Sequence, residues 1–270
     1  MVPDLGPLNP QMLRMVGMFV FAAIAVCRAT APVTTSSPAG DAPAPQPPLT
    51  NSPVDQLIPW LLDENQQLRG IPFGEVVFDA TGKHVLPVDR TSQIDQRVIK
   101  QISAVLDEVM KKMNAPTSPI QNVGRINEVS SHFEDSLREL LSRIAALSCD
   151  FPRTADGKIQ RSGYPDLRVV DVASKRVFYL DPKLYAVGSR NSSFRAFYFE
   201  PKIATNKVRD DAVHLVVGFE HEPRKDGRWR FTRWDLVDLS RFKVKLKAEF
   251  QGSNHDMYRP EAIVATSAPR

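Results

Sequence analysis

The stretch LRVVDVASKRVFYL at residues 167–180 constrains this chain most, because its own turn dictates how it must pair. Val, Leu, Phe and Tyr favour extended backbone on both sides of Ala173-Ser174, which interrupts them, so the segment reads as strand, turn, strand. Folding about those two residues sets Asp166 directly across from Asp181. Pro165-Asp166 then opens the first strand, and Asp181-Pro182-Lys183 closes the second. Directly opposed side chains sit roughly 5 Å apart at Cβ, a separation at which two carboxylates repel. A cation is expected between them. Mg²⁺, or Mn²⁺ in its place, suits the pair, because Mg²⁺ is held by one or two carboxylates and fills its remaining positions with water and phosphate oxygens. Lys183 lies two residues beyond Asp181, and the strand period of two puts both on one face, with the ammonium beside the metal. The competing account is a solvated charge cluster on a hairpin, worth little energetically.

Elsewhere the composition permits a polyanionic partner without requiring one. Lys and Arg number 35 against 31 Asp and Glu, a net charge of +4, and 42% of the residues are hydrophobic, enough for a sizeable core. The first 27 residues stand apart from that core. Residues 15–27 form a 13-residue apolar run behind Arg14, too short to span a bilayer and suited to the apolar part of a signal peptide. Cys27 ends the run in Ile24-Ala25-Val26-Cys27, which resembles a bacterial lipobox apart from Val26. Ala29-Thr30-Ala31 offers a competing cleavage site. Export, with a lipid anchor at Cys27 as one form of it, is therefore expected, and a start downstream of the leader would make the protein cytoplasmic. Cys149 is the only other thiol, so a disulfide framework is excluded and a small buried hydrophobe is expected there.

Residues 28–53 carry seven prolines among Ala, Ser, Thr and Gly and are expected to be a disordered linker. Residues 54–123 are expected to form an N-terminal extension: a short helix broken by Pro59, a hairpin of Glu75-Val76-Val77-Phe78 and His84-Val85-Leu86 about Thr81-Gly82, then a strong helix. In that helix Ile94, Val98, Ile102, Val105, Val109 and Met113 make one apolar face behind a Ser92 cap. Residues 125–147 form a second amphipathic helix on Val129, Phe133, Leu137, Leu140, Ile144 and Leu147. Strands follow at 167–171, 176–185, 193–199, 214–219, 229–234 and 242–250, with a weakly patterned, helix-like stretch at 201–212. Residues 261–270 read as a flexible tail.

Glu134 borders the buried stripe of the second helix, whereas Glu128, Asp135 and Glu139 face solvent, so Glu134 can reach inward. With GYPDLRVVD, RVFYLDPKLY and the helix SSHFEDSLRELL on the page, residues 124–222 resemble the PD-(D/E)xK nuclease superfamily, which has the restriction-endonuclease-like fold. The resemblance implies an α/β core at 124–260, a mixed sheet flanked by helices. It implies that Asp166 and Asp181 are metal ligands, joined by the backbone carbonyl of Pro182. It further implies that Lys183 positions the attacking water and that Glu134 is the helix carboxylate of the site. Pro182 lacks a ladder donor, so the strand is expected to run at an edge or bulge there.

Lys243, Lys245 and Lys247 alternate with Phe242, Val244 and Leu246, which would set three cations on one face of a strand to track a phosphate backbone, or to blunt an exposed edge. Arg224, Lys225, Arg228, Arg230 and Arg233, interleaved with Trp229 and Trp234, form a basic aromatic patch whose rings are expected to be core anchors more than base-stacking platforms. His221 between Glu220 and Glu222 alternates faces with them and makes no zinc site, and His214 reads as a structural histidine. The expectation is a Mg²⁺- or Mn²⁺-dependent nuclease hydrolysing DNA. A homodimer is compatible with it. The alternative is a non-catalytic envelope lipoprotein, or a nucleic-acid-binding module on a degenerate nuclease fold.

Overall fold

The computed structural model describes residues 53–63, 68–193 and 196–267, and the 167–180 stretch folds there as its turn dictates. The leader, Cys27 and residues 28–52 of the linker lie outside the described residues. Strands β4 (Leu167–Asp171) and β5 (Val177–Ala186) pair antiparallel with Leu167 facing Leu180 and Val170 facing Val177. Asp171 N–H continues the ladder to the Arg176 carbonyl at 2.9 Å, and Lys175 closes the turn at φ 62°. The register carried one step outward sets Asp166 across from Asp181.

Four helices and six further strands accompany this hairpin, in chain order, among the described residues up to Lys245. Helix α1 is Pro53–Asp63, β1 is Arg69–Pro72, α2 is Phe73–Thr81, β2 is Val85–Leu86, α3 is Gln93–Asn114, α4 is Ile126–Ser142 and β3 is Leu147–Asp150. After β4 and β5 come β6 (Ala212–His221), β7 (Phe231–Asp238) and β8 (Lys243–Lys245). The main sheet runs β2-β6-β5-β4-β3. Strands β2 and β7 share one edge of β6, β2 in parallel at Ala212 and Val213 and β7 antiparallel from Leu215. Strand β5 lies parallel to β6, so the sheet is mixed, as the expected fold class requires. Among the described residues no helix is long and apolar enough to cross a membrane.

Side-chain alternation divides the sheet between two apolar clusters. Leu167, Val169, Phe178, Leu180, Leu215 and Val217 face α3 and α4, where Val98, Ile102, Val109, Val129, Phe133 and Leu137 are fully buried. Phe133 packs its ring against Phe219 and Phe231, with centroids 4.6 and 4.8 Å apart. Tyr179, Val177 and Ala212 face the other way, onto Phe73, Val77, Tyr164 and Val208. The start of α3 is tied to the hairpin turn by Arg176 on fully buried Asp95 (2.6 and 2.8 Å) and by Arg97 on Asp171 (2.6 Å).

Cys149 sits on β3 opposite Val169, 2% exposed, and burial pushes its thiol up to about 12. A thiolate is the reactive form, so Cys149 in the folded protein should resist a thiol reagent at pH 8 and label promptly once unfolded. Mass mapping of the labelled peptides, which separates Cys149 from Cys27, checks this. Rapid native labelling at Cys149 would contradict its placement in the core.

Several expectations are corrected. Glu75 to Phe78 is not a strand but part of α2, because Phe73 and Val77 stand four apart and are both fully buried, and Gly82 closes the helix at φ 67° by donating to the Phe78 carbonyl. Pro59 does not break α1 but lies inside it. The second long helix ends at Ser142 rather than running to 147, and Leu147 instead opens β3. The described part of 193–199 is not a strand, since Phe197 and Phe199 turn in to pack edge-on against Phe73. The 201–212 stretch forms no helix. Of the 242–250 strand only Lys243–Lys245 forms, because its partner β1 is four residues long.

Candidate active site

Asp181 and Lys183 share the parity of Val177 and Tyr179, and the register puts Asp166 across from Asp181, so the three meet on the sheet face opposite α3 and α4. Lys183 Nζ stands 2.6 Å from Asp181 Oδ2 and 3.8 Å from Asp166 Oδ2. The Asp181 side chain is 2% exposed and that of Asp166 11%. Burial, followed by the neighbouring Asp181 carboxylate, raises the Asp166 pKa well above the usual carboxylate range, against the partial relief of Lys183. Burial also works against the charge on Lys183, yet the carboxylates of Asp181 and Asp166 outweigh it and hold the ammonium above its ordinary value. The site is thus two crowded carboxylates with one cation across them.

Asp181 Oδ2 is buried with no hydrogen-bond donor in line with it, although the Lys183 ammonium is close. Two buried carboxylates beside the Pro182 carbonyl make an all-oxygen donor set that suits a hard cation such as Mg²⁺. Among the described residues no three His, Cys, Asp or Glu side chains gather into a metal site, so such an ion would draw its other ligands from backbone, water and substrate. Pro182 faces Val217 on β6, while the β4 pairing stops at Leu180, so β5 is an edge on its β4 side there. The missing N–H of Pro182 is tolerated at such an edge.

Glu134 stands on α4 and bears on the site through its charge. Its side chain is 14% exposed and takes an ion pair from Arg161 at 3.0 Å, while Arg161 also bridges to half-exposed Asp135. The Arg161 guanidinium lies 4.6 Å over the Phe151 ring, which fixes its approach. Glu134 acts on Asp166, Lys183 and a further buried lysine, Lys207, through its charge.

Lys207 and Arg161 were not foreseen from sequence. Lys207 is 1% exposed and donates to the Gln160 carbonyl at 3.0 Å. Burial pulls its pKa down, while Asp166, Asp181 and Glu134 pull it back up. Its segment is pinned to β4 and β5 by Asp210, which accepts two bonds from Arg168 (2.7 and 2.9 Å) and one from Tyr179 (2.8 Å). No periodicity could have found Lys207, because residues 201–211 adopt no regular element and only tertiary hydrogen bonds place them.

The remaining candidates lie apart from this cluster in kind. Lys243 and Lys245 are exposed on β8 around half-buried Val244, but Lys247 lies beyond the strand and pairs with Glu249, so the three-lysine row is two lysines long on regular structure. His214 is buried, its pKa pushed down to about 3 by that burial, with Nδ1 2.6 Å from the Tyr164 hydroxyl and Nε2 unpartnered. His221 bonds through Nδ1 to the Glu222 carbonyl. The Trp229 ring is buried with its indole N–H donating to Val123 at 2.9 Å, a core anchor as expected.

Comparison with known proteins bears on this cluster directly. Residues 66–261, which include every residue of the site, match the Type II restriction enzyme MjaV family. The Type II restriction enzyme MjaV of Methanocaldococcus jannaschii is 30% identical over 210 residues, an alignment covering 74% of this chain and 90% of that protein.

Proposed function

Because the chain belongs to the Type II restriction enzyme MjaV family, we propose that it is a DNA endonuclease of the PD-(D/E)xK superfamily that hydrolyses phosphodiester bonds with Mg²⁺ or Mn²⁺. The observation that carries the chemistry is the meeting of Asp166 and Asp181 across one hairpin with Lys183 bridging both. Asp166, Asp181 and the Pro182 carbonyl would hold the ion. When bound, Mg²⁺ supplies positive charge that makes water more acidic and offsets the charge on the phosphate.

The chain's own residues do the rest. Lys183 donates from Nζ to the attacking water and sets its oxygen in line with the phosphorus, and its fixed charge lowers the energy of the transition state as negative charge builds on the phosphate oxygens. Asp181, buried beside it, keeps that ammonium charged and aimed. Glu134 adds negative potential on the helix side, with Arg161 balancing it. The new P–O bond to water forms as the P–O bond to the leaving sugar oxygen breaks; the water gives up a proton to solvent, and the leaving sugar oxygen takes one up from solvent.

Incubation with a mixed set of plasmids of different sequence is the direct test. Supercoiled DNA should be cut in the presence of Mg²⁺ or Mn²⁺, and EDTA should stop the cutting. Plasmids that stay intact with both metals would leave the non-catalytic alternative standing.

A further inference from the structure

Asp166 sits just outside the pairing that registers the hairpin. The ladder of β4 on β5 ends at Leu167 and Leu180, so its hydrogen bonds stop one residue short of the aspartate. The Asp166 carboxylate is nonetheless held across from Asp181, 3.8 Å from the Lys183 ammonium that Asp181 meets at 2.6 Å. Like charges set opposite each other push apart, and a residue beyond the ladder is free to yield. Something upstream must hold it.

The nearest fixed point is Tyr164, two residues back through Pro165, whose ring restricts its own φ and leaves little slack in the link. The Tyr164 side chain is buried in the smaller apolar cluster, with Phe73, Phe197 and Phe199 edge-on at 5.6, 5.1 and 6.0 Å between ring centroids. Its hydroxyl shares a hydrogen bond with His214 Nδ1 at 2.6 Å, and the two rings lie nearly parallel, 19° apart. His214 is fully buried on β6 beside Tyr179 of β5, two positions before the point where Asp181 faces Val216. The bond therefore ties the segment before Asp166 to the middle of the main sheet.

Packing alone does not call for this pair. Two apolar side chains of similar size would fill the space, whereas His214 leaves Nε2 buried without a partner, and buried polar atoms are nearly always satisfied. Replacing both members of a buried hydrogen-bonded pair by apolar groups of like shape is close to neutral, so stability of the core does not explain the choice. What the bond adds is direction, since apolar contacts let a ring slide and a hydrogen bond fixes one of its atoms. We propose that Tyr164 and His214 are positioning residues, whose bond holds Asp166 against the repulsion of Asp181 and keeps the carboxylate pair set for a divalent ion. This pin rests on the nuclease reading and deepens it. A ligand pair already in place binds its ion more tightly, because the repulsion has been overcome in folding.

The test is Mn²⁺ binding to the full chain without DNA, followed by loss of the free-ion paramagnetic resonance signal. Melting in EDTA and the Mn²⁺ concentration for half-maximal plasmid cleavage accompany it. Tyr164→Phe removes the hydroxyl and keeps the ring. Tyr164→Phe combined with His214→Leu removes the whole polar pair. Both proteins should bind Mn²⁺ about tenfold more weakly than wild type, the low end for changes behind a metal ligand, and should need about tenfold more of it for half-maximal cleavage. The double variant should nonetheless melt in EDTA no lower than wild type. A pair that serves packing alone would lower the melting temperature and leave the metal dependence of the folded protein unchanged. That result would overturn the pin and leave the nuclease standing. If wild type neither takes up Mn²⁺ nor cuts, the nuclease reading fails and takes the pin with it. Should Tyr164→Phe not fold, the double variant decides, and if neither folds the pair is structural and the pin is wrong.

Discussion

Lys183→Ala is expected to lower the single-turnover rate of plasmid cleavage by about 10²- to 10⁴-fold, the range for a positioned group acting on the transition state. The size follows from the geometry: one ammonium stands 2.6 Å from Asp181 and 3.8 Å from Asp166, so its removal takes away both the donor for the attacking water and the charge that balances the carboxylates. The fold should survive, because Lys183 belongs to neither apolar cluster. Duplex binding should change by only a few-fold, since contacts with other phosphates remain. Lys183→Arg should not restore the rate, as the planar guanidinium cannot occupy the position of a point ammonium. Cleavage by Lys183→Ala at the wild-type rate, in protein shown folded by circular dichroism, would falsify the assignment.

Asp166→Asn should produce two opposite effects of comparable weight: cleavage lost, and the metal-free protein made more stable. One carboxylate of a crowded pair disappears while the closer Asp181–Lys183 contact is kept, so repulsion is relieved without orphaning the lysine. The sign with pH follows from linkage. Asp166 has a folded-state pKa above its unfolded value of about 3.8, so the native state holds a proton that the unfolded chain has released, and stability falls as pH rises through that interval. Below the unfolded value both states are protonated and wild type and variant should melt alike. By pH 8 the variant should melt about 3–6 °C higher in EDTA, given the size of the domain. Added Mg²⁺ should stabilise wild type and leave the variant nearly unmoved, because only the intact pair binds the ion well. Equal melting of the two proteins in EDTA at pH 8 would show that the carboxylates do not crowd each other.

The same crowding explains why the hairpin was so legible. A strand has a strict period of two, and a turn with a defined centre leaves no freedom in register. Leu167 opposite Leu180 and Val170 opposite Val177 are the pairings that Ala173-Ser174 demands, and the side of the sheet taken by Asp166, Asp181 and Lys183 follows from them. The helices were legible for a parallel reason. The i, i+4 spacing of Ile94 to Met113 survives as α3, capped by the Ser92 side chain accepting from Asp95 N–H. The 242–250 alternation shows the limit of such patterns. The lysines alternate in sequence as required, yet a strand exists only where a neighbour pairs with it, and β1 supplies four residues.

Short apolar runs were ambiguous in the same way. Val76-Val77-Phe78 has high strand propensity, but Phe73 and Val77 find a pocket among Tyr164, Phe197 and Phe242 that rewards helical spacing, and that packing outweighs the local preference. Residues 196–207 carry no regular pattern because their order comes from packing Phe197 and Phe199 inward and from the clamp of Asp210 on Arg168 and Tyr179 nearby.

What the sequence by itself determined is therefore local and periodic: two amphipathic helices, a self-registering hairpin, and the acidic pair with its lysine, all within reach of short-range spacing rules. What only the tertiary structure decided is everything brought in from a distance, namely the Arg161 partner of Glu134 and the buried Lys207. The physical reason is that these positions are set by burial and hydrogen bonds between residues tens of positions apart, such as Lys207 on Gln160 and Arg161 on Glu134, and no periodicity in a single chain encodes such contacts.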